Sequence, residues 1–205
     1  YDYANAKYTG ETLAFGNVHQ GATVSSQTVQ FGNQTVTNAS YQDSLNVSAT
    51  TGNARVSATG FTGLAASTSG LTTDSLSVSV STATAGSLAS TLNLSLVSNA
   101  NGVAGLSNGT ATVVGTPGAI TTTGGVYDYA NAKYTGSTLA FGNVRTNASV
   151  SSQTIAIGNQ TVTNASYQDL LNVSGSATNA AVSATGFTGL AASTSGATTM
   201  PVLGE

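Results

Sequence analysis

Serine and apolar residues alternate along much of this chain with a period of two. In residues 75–81 (SLSVSVS), Leu76, Val78 and Val80 fall on one face and serines on the other. Residues 90–97 (STLNLSLV) repeat the arrangement with Leu92, Leu94 and Leu96. That period belongs to an extended strand with one face buried and one wet. The stretches TLAFGNV, TVSSQTVQF, SLNVSAT, ARVSATGF, NGTATVVG and AITTTGGVYDY are further strand candidates, separated by Gly-, Asn- and Ser-rich turns. Asn101-Gly102 and Asn108-Gly109 offer the left-handed backbone that tight turns need. No segment shows a capped apolar stripe of helical period over three turns, so the predicted fold is all-β.

The decapeptide YDYANAKYTG begins at Tyr1 and again at Tyr127, 127 − 1 = 126 positions on. At that offset residues 1–73 and 127–199 align without a gap and differ at 15 of 73 positions. The period is too long for a solenoid coil and suits one sandwich domain of about seven strands. The expected architecture is tandem antiparallel immunoglobulin-like β-sandwich domains. Residues 1–10 would be a junction segment equivalent to the end of a preceding repeat, and 11–126 the first sandwich. Residues 127–136 would be an interdomain junction, and 137–205 a partial second sandwich. The match stops where DSLSVS (residues 74–79) faces MPVLGE (residues 200–205). The second copy is therefore expected to lack counterparts of SLSVSVS, STLNLSLV, NGTATVV and the closing strand. Two completions stay open: strands that follow in a longer chain, or strands supplied by another chain.

LAFGNV at residues 13–18 and 139–144, SSQTV and SSQTI, YQDSLNVS, STATAGSLASTLNLSLVSNANGVAGL and a closing strand before VYDYA together resemble the choice-of-anchor D repeats of bacterial surface proteins. Those repeats are immunoglobulin-like sandwiches related to the ASPM–SPD–Hydin type. The resemblance covers nearly all of the first copy and the front of the second. It implies secretion or display on a bacterial cell surface, and a stalk or adhesive role. It brings no catalytic residue with it.

Charged residues make up 5% of the chain, 4 Lys+Arg against 7 Asp+Glu for a net charge of −3, where an average soluble protein has roughly 25%. So weak a field offers nothing to nucleic acid or to an anionic membrane. The chain is nonetheless 40% hydrophobic, which separates it from the polar, highly charged composition of disordered segments. It has no cysteine, which excludes disulfides and thiol catalysis, and no run of about 18 apolar residues that would insert as a membrane helix. Scarce charge leaves strand edges without the groups that discourage pairing, so self-association, head-to-tail or strand-donating, is the expected partnership.

Candidate chemistry is sparse. His19, the single histidine, is matched by Arg145 in the second copy and reads as a solvated turn residue. Asp43 and Asp169 recur in SYQDSLN and SYQDLLN. One carboxylate is thin for calcium, which takes 6–8 oxygens, so these are weak calcium candidates against a turn-capping role, as are Asp2 and Asp128. GxSxG, HExxH, P-loop and dinucleotide fingerprints are absent, so neither an enzyme nor a cofactor is expected. Tyr1, Tyr3, Tyr8, Tyr127, Tyr129 and Tyr134 read as bracing a domain junction, or as a stacking patch for a glycan or surface protein. Nine Asn-x-Ser/Thr sequons, Asn38, Asn46, Asn164 and Asn172 among them, lend glycosylation weak support. The expected role is an extracellular structural repeat forming a stalk, fibre or filament. The alternative is an adhesin-type module that binds a glycan or surface protein through its loops.

Overall fold

The structure is a computed structural model that describes residues 1–68, 73–136, 138–193 and 196–204. These residues are all-β, the only helical turns among them being two 3-10 turns at Ala39–Tyr41 and Ala165–Tyr167. The chain divides into two compact units: Tyr1–Ala83 with Ser87–Gly125, and Val126–Glu205 with Thr84–Gly86.

In chain order the strands are β1 (Asn5–Lys7), β2 (Thr12–His19), β3 (Gln27–Asn33), β4 (Ser44–Thr51), β5 (Val56–Thr59), β6 (Phe61–Leu64), β7 (Thr73–Val80), β8 (Gly86–Ser87) and β9 (Ser90–Asn99). There follow β10 (Gly109–Thr110), β11 (Thr112–Val113), β12 (Thr121–Tyr127), β13 (Ala132–Tyr134), β14 (Gln153–Asn159), β15 (Leu171–Val173), β16 (Val182–Ala184), β17 (Phe187–Leu190) and β18 (Thr198–Gly204).

The first unit is a β-sandwich. One sheet runs β11-β1-β3-β7-β5, and the other β2-β12-β9-β4-β6 with β10 beside β9 and β8 beside β12. The serine alternation does what its period requires: Leu76 and Val78 are buried while Ser79 is exposed. Pairing of β3 with β7 sets Val29 opposite Leu76. Val29, Phe31, Leu76 and Val78 from one sheet and Leu13, Phe15, Leu45, Val47 and Leu92 from the other form the core. Each such side chain stabilises the fold by about 1.5–3 kcal/mol. The Phe31 ring meets Phe61 of the opposite sheet edge-on at 6.0 Å.

The decapeptide is not a loose junction segment. β1 pairs antiparallel with β3 and parallel with β11, and Ala4 and Ala6 are wholly buried. Residues 1–10 are thus built into the unit they open, because the alternating alanines present a small apolar face that the sheet can cover. In the second unit β13 pairs with β14 in the same way.

Two stretches expected to be single strands are each split between sheets. ARVSATGF becomes β5, paired with β7, and β6, paired with β4. NGTATVVG becomes β10, paired with β9, and β11, paired with β1. At the first crossing the chain passes so close to β4 that a methyl on Gly60 would overlap the Val47 carbonyl oxygen. Only glycine fits there.

The second unit rebuilds one sheet, β13-β14-β18-β16, in the order of β1-β3-β7-β5. The expectation that the second copy lacks a counterpart of SLSVSVS is therefore corrected: β18, from TTMPVLG, takes that place. Ile155 pairs with Met200 as Val29 pairs with Leu76. A strict offset would have put residue 76 + 126 = 202 there, so β18 arrives two residues early. An even slip keeps the same face inward, and Met200 and Val202 are accordingly buried.

The opposite sheet of the second unit is two strands, β15-β17. Their register, Leu171↔Leu190 and Val173↔Phe187 with an irregularity between, copies Leu45↔Leu64 and Val47↔Phe61. Ile157, Met200 and Val202 are buried, while Phe141, Ile155, Leu171, Val173 and Phe187 pack around them only partly covered. Residues 138–144 (TLAFGNV) repeat residues 12–18 letter for letter, yet they form strand β2 in the first unit and no strand in the second.

Candidate functional site

The most elaborate polar construction is written once per unit. Asn33 closes β3 with a buried amide whose full capacity of two donors and two acceptors is used. Its Oδ1 accepts from the Asn5 N–H (2.9 Å) and from Gln42 Nε2 (3.0 Å), and its Nδ2 donates to the carbonyls of Asp43 (2.9 Å) and Leu64 (3.0 Å). Asn5 belongs to one sheet and Leu64 to the other, so one side chain ties both together. Gln42 extends the tie by donating to the Gln34 carbonyl and accepting from the Val36 N–H. Asp2 Oδ2 accepts from the Thr37 N–H at 3.1 Å, and backbone bonds run from Asp2 to Tyr41 and from Asp43 to Asp2. YDYAN, FGNQTVTN and YQD, distant in sequence, thereby become one lock.

The second unit repeats it with Asn131, Asn159, Gln168, Asp169 and Leu190. Asp128 Oδ2 accepts from Thr163 N–H at 3.1 Å. Asn38 and Asn164 each cap a 3-10 turn by accepting from the N–H two residues on. Two sequons start at the locking asparagines themselves; Asn33 and Asn159 are 1% and 0% exposed, out of reach of a glycan-transferring enzyme once folded.

The weak calcium candidates differ. Asp43 is buried; its Oδ2 accepts from Ser98 Oγ at 2.8 Å, while its Oδ1 has no hydrogen-bond partner. Ser98 Oγ in turn accepts from the Ala4 N–H at 2.8 Å, tying β9 to the lock. Asp169 is half-buried, and among the described residues the second unit has no counterpart of β9. Among the described residues no three His, Cys, Asp or Glu side chains gather as a metal site would require. His19 ends β2.

Ser98→Ala is expected to strip Asp43 Oδ2 and the Ala4 N–H of their partner in a buried place. Each such group costs about 1–3 kcal/mol. Amide exchange of the intact chain would show it as lost protection at Ala4 and Ala6 with no change at Asn131 and Lys133.

The six tyrosines are dispersed among local contacts. Tyr8 stacks on Phe31 at 4.8 Å, Tyr1 meets Tyr41 edge-on at 5.6 Å, and Tyr127 meets Tyr167 at 5.4 Å. Tyr134 faces Ile157 where Tyr8 has Phe31, and without a ring to stack on it is exposed. Tyr3 and Tyr129 are also exposed. Tyr1 borders a cleft of about 310 Å³ whose wall includes Ser40, Gln42, Asp43, Ser44 and Asn101. The sequence marked Tyr1 and Asp43 but did not bring them together, because the 3-10 turn that folds YQD back onto YDYAN leaves no periodic signal.

No protein-family model matches the chain, and no curated protein matches it either.

Proposed function

We propose that this chain is an extracellular structural repeat protein whose like units act as spacing modules of a surface stalk, fibre or filament. One observation carries the reading: the two-sheet lock around Asn33 is rebuilt bond for bond around Asn159. A side chain that fixes two sheets to each other resists their separation, and writing it into each repeat lets every repeat carry load. Bacterial surface display and an immunoglobulin-type kinship belong to the same proposal and rest on the resemblance to choice-of-anchor D repeats. Self-association is part of it too, given the few charges that would keep strand edges apart.

Stretching the intact chain between its ends in a force microscope tests this. A discrete rupture of the first unit should release about 40 nm, from roughly 120 residues at about 3.4 Å each. Smooth extension without a rupture would remove the mechanical reading.

A second reading, an adhesin-type binding module, is favoured by the cleft beside Tyr1, where an aromatic ring stands next to amide, hydroxyl and carboxylate groups. A glycan array hit that disappears with Tyr1→Ala would select it.

A further inference from the structure

We propose that the cleft beside Asp43 receives a primary ammonium on an aliphatic stem, such as the lysine side chain of a partner polypeptide, with Asp43 as the anionic end of the pocket. The proposal rests on the binding-module reading of the same cleft and gives it a ligand class.

The decisive group is the Asp43 carboxylate. Its residue is 5% exposed and lines the cleft. Oδ2 accepts from Ser98 Oγ, while Oδ1 has no hydrogen-bond partner. Among the described residues, no Lys, Arg or His lines the cleft. A carboxylate only accepts, so its complement is a donor. A buried charge without a partner is costly, and an ammonium supplies both the proton and the opposite charge.

The carboxylate is also held in place. The Asp43 N–H donates to the Asp2 carbonyl, and the Asp43 carbonyl accepts from Asn33 Nδ2. Beside it Ser44, itself 4% exposed, donates from Oγ to Asn101 Oδ1 at 2.9 Å. An amide oxygen accepts twice, so Asn101 offers a neutral acceptor in the same cleft to an ammonium that carries three donors.

The remaining walls select the stem. Ala39, Ala65, Ala66, Ala100 and Val103 are small and apolar. Methylenes lie against such a wall at no cost, whereas the hydroxyls of a sugar ring would lose their water there. The volume of about 310 Å³ is at the low end of small-molecule sites, about 300–1,000 Å³, and suits one side chain. Tyr1 at the border adds an aromatic face, which attracts cations. Calcium fits less well, because it takes 6–8 oxygens and Asp43 is the one carboxylate in the lining. The second unit has Leu170 in place of Ser44, so it serves as an internal control.

The test titrates the intact 205-residue chain with Nα-acetyl-lysine methylamide and follows backbone amide shifts by NMR. Saturable one-site binding in the millimolar range is expected, centred on Asp43, Ser44, Ala66 and Asn101, with Asp169 and Leu170 unmoved. Acetylating the probe's Nε, or changing Asp43→Asn, should weaken binding about tenfold or more. Asp43 also belongs to the lock, so Ala65→Leu supplies a second variant. Ala65 is exposed, and a larger side chain there narrows the cleft without touching the carboxylate. Binding should again fall about tenfold, with the melting temperature unchanged. Equal binding of the Nε-acetylated probe would overturn the ammonium site, as would no saturation up to about 100 mM. Tighter binding of glucosamine or of calcium than of the lysine probe would overturn it too. A glycan-array hit that depends on Tyr1, with failure of the lysine probe, removes the ammonium inference alone; failure of both removes the binding-module reading with it.

Discussion

Asn33→Ala is expected to be among the most damaging single substitutions in the first unit, lowering its melting temperature by about 10–25 °C. The alanine removes four hydrogen bonds at once. Gln42 Nε2 retains the Gln34 carbonyl, but the Asn5 N–H and the Asp43 and Leu64 carbonyls lose a partner in the interior. Buried groups left unpaired cost about 1–3 kcal/mol each, and the side chain also leaves a small void. A loss of about 3–5 kcal/mol follows, at the upper end for a point mutation. About 3–5 °C per kcal/mol for a unit of this size converts it to the range given. Calorimetry of the full chain would measure it, with Asn159→Ala as the companion that should move only the second unit's transition. Asn33→Asp keeps the acceptors but loses the two donors, so it should be nearly as harmful. A shift below about 3 °C for Asn33→Ala would mean that the lock is ornamental.

The lock also marks where reading the letters succeeds and where it stops. Alternation found the strands, since burial of one face imposes a period of two whatever the fold, and Leu76, Val78 and Leu92 are buried as their spacing requires. The repeat announced two like units. Alternation cannot say which sheet a strand joins, so the crossings at Gly60 and Ala111 were invisible within ARVSATGF and NGTATVVG. Letter matching also hid β18, because a two-residue slip erases every identity while leaving the inward face unchanged. Asn33 was obscured by company: in a chain full of turn asparagines, one that spends its amide on two sheets looks like the rest. The available signal was that YDYAN, GNQTVTN and YQD survive intact in both copies while the stretch around residues 19–23 drifts. Residues 138–144 show the deepest limit, since letters identical to those of residues 12–18 form a strand in one unit and none in the other.

Gly60→Ala should approach the effect of breaking the lock, by a different route. A methyl on Gly60 would overlap the Val47 carbonyl oxygen and crowd the Ser48 Cα at 3.0 Å. Backbone, unlike the end of a flexible side chain, cannot swing away. Val47 is held on both edges, by Leu96 of β9 and by Phe61 of β6, so relief requires breaking one of the two ladders. Overpacking ordinarily costs about 1–3 kcal/mol and more where the backbone is pinned, so a loss of about 3 kcal/mol or more is expected in urea unfolding of the chain. Gly52→Ala is the control: nothing stands within 4 Å of an added methyl there, the second copy already carries Thr178 at that position, and the change should stay within about 0.5 kcal/mol. Equal effects of the two substitutions would refute the close crossing. Gly186 makes the same approach to the Val173 carbonyl, but among the described residues β15 has no second ladder to hold Val173 in place. Gly186→Ala should therefore cost clearly less than Gly60→Ala.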